Sequence, residues 1–220
     1  MTLLIEHDPI SVLVAARKVA DFASTEGLFD NTLSQRTICQ HMGAILADAA
    51  LQAGLRYSTV VLPRVNQILR KHPSANTIGA LVQIIESGDT GDFLQWSHHQ
   101  KIARFEHMVK FLDSKGVQKV SDLRHNLKND KFNKDIQMIN GVGPKTVDYL
   151  ACLVGIESIA VDRHIRTFAK RVGVDVEDYG YLKNVFCYAA DLLSISRREF
   201  DSWIWQIEST KRSPQLTLAI

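Results

Sequence analysis

Apolar residues recur at steps of three and four along almost the whole chain, and no stretch alternates with a period of two. That pattern restricts the chain to an all-α fold. Ile10, Leu13, Val14, Ala16 and Val19 follow the step, and so do Ile38, Met42, Ile45, Leu46 and Ala49. Residues 58–71 repeat it through Val61, Val65, Ile68 and Leu69 and stop at His72-Pro73. Thr77 is placed to cap a helix over 78–86. The run Ser-Gly-Asp-Thr-Gly-Asp at 87–92 reads as a loop. A helix over 99–114 stops at Gly116, Ser121 caps a short one through Leu127, and 134–139 forms another. Helices then follow over 144–154, from Asp162 to a stop at Gly173, over 178–193 and over 199–209. The sum is about ten helices with short loops and no internal repeat, ending in a frayed tail over 211–220.

Composition narrows the function classes. A chain of 220 residues with 45% hydrophobic content buries enough surface to fold without staples. Cys39, Cys152 and Cys187 are odd in number and separated by 113 and 35 residues, so they form neither a disulfide framework nor a cysteine-ligated zinc or iron–sulfur site. They read as reduced thiols of a cytoplasmic protein. The opening MTLLIEHDPISVL carries acids early and is not a signal peptide, and no run is long and apolar enough for a membrane span. His98 and His99 have no third ligand in view, so no metal is expected.

The formal charge of +2 is close to neutral, so its distribution matters more than its size. Arg163, His164, Arg166, Lys170 and Arg171 make five of nine residues basic, while Asp175, Glu177 and Asp178 collect acids beyond them. The run reads either as one basic face or as a solvated helix surface.

The segment Ile139-Asn140-Gly141-Val142-Gly143-Pro144-Lys145-Thr146 carries more information. Two glycines flank one apolar residue between two helices. Glycine permits left-handed backbone angles and the close approach of another backbone. Pro144 suits the first position of a helix, where its missing N–H costs nothing. The N–H groups of the turn and the helix start are thus expected to point outward unpaired, at the positive end of the helix dipole, with Val142 pinning the turn to the core. Such a site suits an anion, and a DNA phosphate fits it. The plainer reading is a tight helix–helix turn.

With a short helix before it and Pro-Lys-Thr after it, this segment resembles the helix–hairpin–helix family, and specifically its DNA glycosylase superfamily. A second mark follows 17 residues after Lys145, where Ile159-Ala160-Val161-Asp162-Arg163-His164-Ile165 is similar to the superfamily's Val-Asp-x-His motif. The ends of the match are softer: 54–59, 96–101 and the closing 200–208 are similar to segments of endonuclease III-like enzymes and of small archaeal 8-oxoguanine glycosylases. The cluster-ligating cysteines of endonuclease III relatives are missing, so the resemblance implies a member without the iron–sulfur cluster and with no cofactor beyond a monovalent cation at the hairpin.

The resemblance implies a two-lobed monomer on double-stranded DNA, with a cleft between lobes. One lobe spans about 45–157 and includes the hairpin at 139–146; the other joins about 1–44 to 158–210. It implies excision of a damaged or modified base, with Lys145 attacking C1′ to form a Schiff base and nick the strand, and Asp162 as the second catalytic residue. Gly141, Val142, Gly143, Thr146, Arg163 and His164 would contact DNA. Arg56 and Tyr57 would fill the gap left in the duplex, and Trp203 and Gln206 would line a base pocket. The protein would be cytoplasmic, on the nucleoid in a bacterium. Read without the family, Asp162 is a helix cap and Lys145 a phosphate contact, which leaves a non-catalytic DNA-binding module open. The identity of the base is open as well.

Overall fold

A computed structural model describes residues 8–29 and 38–211, the last by its backbone only. Residues 1–7 of the opening stretch and 212–220 of the expected tail lie outside the described residues. All the regular secondary structure among the described residues is helical, with no strand among them. They divide into two compact units: residues 8–29 with 157–211, and residues 38–156.

The unit of 38–156 is built around α2 (Met42–Leu51), every residue of which is buried. Its sequence, MGAILADAAL, is apolar all round apart from Asp48, and such a helix belongs inside other helices. Expected to begin near Ile38, it begins at Met42, where the His41 imidazole caps the first turn through the Ala44 N–H. Gly43 lets the Ala75 carbonyl accept its N–H at 3.0 Å, where a Cβ would come within 2.8 Å of that oxygen.

Around α2 pack α3 (Leu62–Lys71), α4 (Ile78–Glu86), α6 (His99–Ser114) and α9 (Pro144–Leu153). Three expectations are corrected here. The run over 58–71 does not start as an α-helix: Tyr57–Val61 form a π-helical turn first. Residues 87–92 are not all loop, because α5 (Thr90–Leu94) starts within them and buries Thr90, Phe93 and Leu94. Ser121 does not cap α7 (Val120–Asn126); the Asp122 carboxylate accepts the N–H groups of Gln118 and Lys119. Then α8 (Asp130–Ile136), capped by Asn129, leads to the hairpin.

The other unit holds α1 (Pro9–Thr25), α10 (Arg163–Arg171), α11 (Tyr179–Leu192) and α12 (Arg197–Lys211). Its core stacks Phe168, Phe186, Phe200 and Trp203. Of the five residues the periodicity suggested for the buried face of α1, Ala16 and Val19 lie on it and the other three do not. Val12, Ala15, Ala16, Val19, Ala20 and Ala23 are buried, whereas Ile10, Leu13 and Val14 are exposed. The alanine-rich stripe lets α1 lie close along α11.

Candidate functional site

In the 38–156 unit the hairpin turn is shaped by one left-handed residue. Gly141 has φ +80°, and a Cβ there would collide with the Arg104 guanidinium. Val142 is buried, and its N–H is not outward: it donates to the Ile139 carbonyl at 2.9 Å. Thr146 is likewise buried, with its N–H on the Gly143 carbonyl. The N–H groups of Gly141 and Gly143 have no hydrogen-bond partner among the described residues. Of the three N–H groups in the Gly-Val-Gly turn, two are thus without a partner and one is taken up inside the turn.

Gly143 departs from the expectation in another way. Its φ of −102° and ψ of −176° are extended backbone that any residue adopts. A Cβ built on it meets nothing within 4 Å. Neither strain nor packing inside the unit requires glycine here, whereas an external group approaching the backbone closely would.

Lys145, the second residue of α9, is half-buried. Its ammonium donates to Gln52 Oε1 and lies 5.2 Å from the centroid of the Tyr149 ring, one turn along the same helix. Both neighbours favour the charged amine. The Tyr149 hydroxyl donates to Asp48 Oδ1 at 3.0 Å, and the Tyr57 hydroxyl donates to the other oxygen at 3.1 Å. Tyr57 is thus held by a buried carboxylate, while its neighbour Arg56 is exposed.

Sequence reasoning missed the groups that surround Lys145. Lys101 Nζ donates to the carbonyls of Leu51 and Ala53, which bracket Gln52. Arg104, one turn later on α6, reaches the Ala50 carbonyl at 3.3 Å while lying against Gly141. Burial and then the charges of Arg104 and Lys145 push the Lys101 ammonium down from 10.5 to about 8. Four consecutive residues at the end of α2, 50–53, thereby hold three cations. The only sequence signal was the i, i+3 spacing of Lys101 and Arg104, which is common on helix surfaces. Gln52 Nε2 is buried without a hydrogen-bond partner in the structure.

In the other unit Asp162 is the cap of α10, as expected. Its Oδ1 accepts the N–H groups of His164 at 2.7 Å and Ile165 at 3.1 Å. Its Oδ2 pairs with His164 Nδ1 at 2.9 Å. The Asp162 side chain keeps 23% exposure, and the His164 side chain 5%. His164 is therefore an orienting partner within the fold rather than a surface contact, and its ring meets the edge of Trp205 at 5.9 Å. Arg163 is exposed and has no ion pair among the described residues.

The rest of the basic run does not form a free face. Arg166 pairs with Glu177, Lys170 lies within 3.4 Å of Asp175, and Arg171 bridges Glu26 and the buried Glu208. The acids read as a separate group fold back onto it. Trp203, expected at a base pocket, is 8% exposed and belongs to the core, stacked on Phe200 and edge-on to Phe168. Gln206 is exposed. Lys145 and Asp162 belong to different units. No described helix is long and apolar enough to cross a membrane.

No protein-family model matches the chain. No curated protein matches it either.

Proposed function

We propose that this chain is a DNA glycosylase of the helix–hairpin–helix kind, which removes a damaged or modified base and nicks the strand through Lys145. The observation that carries the reading is Gly143. It is a glycine with ordinary backbone angles and open space at its Cβ, next to two unpartnered N–H groups and immediately before the helix that bears Lys145. A phosphate drawn against that backbone explains the glycine. Phosphate binding is assigned to the hairpin unit, because the basic run on α10 is largely neutralised by its own acids.

The chemistry follows from groups the chain carries. A base within a duplex is out of reach, so the nucleotide must first be flipped out. The neutral Lys145 amine then attacks C1′, the C1′–N bond breaks, and the base leaves with the bonding electrons and takes up a proton. Loss of the amine proton and opening of the sugar give an imine, whose β-elimination breaks the strand. A carboxylate stabilises the positive charge that develops on the sugar, the role assigned to Asp162. A panel of duplexes, each with one lesion, tests the reading by base release from wild-type protein and from Lys145→Gln.

One observation favours a second reading, a DNA-binding module without catalysis. Both oxygens of Asp162 are engaged, as a helix cap and with His164. Absence of base release across the panel, with duplex binding retained, selects that reading.

A further inference from the structure

Gln52 and the Tyr149 ring both favour a protonated Lys145, which is the wrong form for a nucleophile. An opposing charge is needed, and α6 supplies one. We propose that Lys101 is a positioning residue for Lys145: its ammonium, fixed on the two carbonyls that bracket Gln52, repels the proton of the amine that Gln52 itself holds. The catalytic part of this inference rests on the glycosylase reading; the coupling of the two amines does not.

The geometry leaves both amines little freedom. Lys101 is tied to Leu51 O and Ala53 O, and Lys145 to the side chain of the residue between them. Arg104 stands beside them on Ala50 O and adds a permanent positive charge. Among the described residues, Tyr149 from α9 links the cluster to Asp48 from α2 and through it to Tyr57 from the π-helical turn. Asp48 is the only acid among these, and it holds two tyrosine hydroxyls. Charge repulsion between two amines is reciprocal: the interaction by which the charge of Lys145 helps to lower Lys101 acts on Lys145 as long as Lys101 is charged. While Lys101 keeps its proton, below about 8, its charge enlarges the fraction of Lys145 present as free amine.

Competitive labelling of lysines with acetic anhydride between about pH 6 and 11, read peptide by peptide, follows each amine in the free protein. At neutral pH, where Lys101 is charged, Lys145 should be labelled several-fold more slowly in Lys101→Met. Lys101→Arg, which keeps the charge, should restore the neutral-pH labelling of Lys145. Lys145→Met should raise Lys101 above about 8, and this arm decides the matter if Lys101→Met does not fold. Unchanged neutral-pH labelling of Lys145 in folded Lys101→Met, or unchanged titration of Lys101 in folded Lys145→Met, overturns the coupling. The pH profile of borohydride trapping on an abasic-site duplex then reads the catalytic part. Its acid limb should move up in Lys101→Met and return in Lys101→Arg. Coupled titration without any adduct from wild type supports the coupling and overturns Lys145 as the nucleophile.

Discussion

Lys101 donates to the Leu51 carbonyl at 2.9 Å, and that bond fixes a lysine whose proton leaves at about 8. The consequence for stability has a definite sign. Below about 8 the amine is charged in the folded and unfolded chain alike, and the fold bears the whole cost of burying it. Between about 8 and 10.5 the folded chain has lost the proton and the unfolded chain retains it. Stability relative to Lys101→Met should therefore rise across that window. Urea midpoints of the two proteins at several pH values check it, and parallel curves would contradict it.

The two hairpin glycines should separate folding from binding. Gly143→Val should fold within about 0.5 kcal/mol of wild type, because its backbone angles and the open space accept a side chain. Its affinity for every duplex should fall alike, since backbone donors read no sequence. Gly141→Ala should lose about 1 kcal/mol or more, because φ is +80° and Arg104 must move. Thermal melts beside binding titrations distinguish the two; equal melting losses at both positions would be the wrong result.

Much of the fold was legible because helix stops and caps are local. Thr77 and Asp162 cap where the sequence put them, Asp178 caps the helix expected to start at it, and Gly116, Gly155 and Gly173 follow their helices. What failed was the choice of face. On α1 two apolar stripes share the helical period, and only packing on α11 decides that the alanines go in and Ile10, Leu13 and Val14 stay out. The site failed for a related reason. Lys145 and Gly143 stand in one motif, but Gln52, Lys101 and Arg104 meet them from elements 93, 44 and 41 positions earlier, and no local pattern reports such a meeting. The basic run on α10 misled because residues 175–178 lie beyond the helix in sequence and return to it in space.

Arg171 is engaged within its own unit. It bridges Glu26 and Glu208 and lies over the rings of Phe22 and Phe168. Arg171→Met leaves the buried Glu208 carboxylate unpaired and should cost on the order of 3 kcal/mol. Duplex affinity of the folded fraction should be unchanged. A chemical melt with a binding titration below the transition checks both; a loss of affinity without loss of stability would return the basic run to the DNA surface.

Duplex binding should depend on salt through few phosphates. With the α10 run neutralised, the log–log slope should correspond to about three or four contacts from the hairpin unit, each contributing about −0.9. Titration at stepped salt measures it, and Arg163→Gln should change the slope by at most about one contact. A slope twice as steep would mean that α10 does face the DNA.

The most direct test of the central claim is borohydride trapping on duplexes that each carry one lesion or an abasic site. The account predicts a covalent adduct with wild-type protein that is abolished in Lys145→Gln. It predicts a rate lower by on the order of 100-fold in Asp162→Asn, which still caps α10 but lacks the charge. Base release at the wild-type rate from Asp162→Asn, or trapping that survives Lys145→Gln, would contradict it.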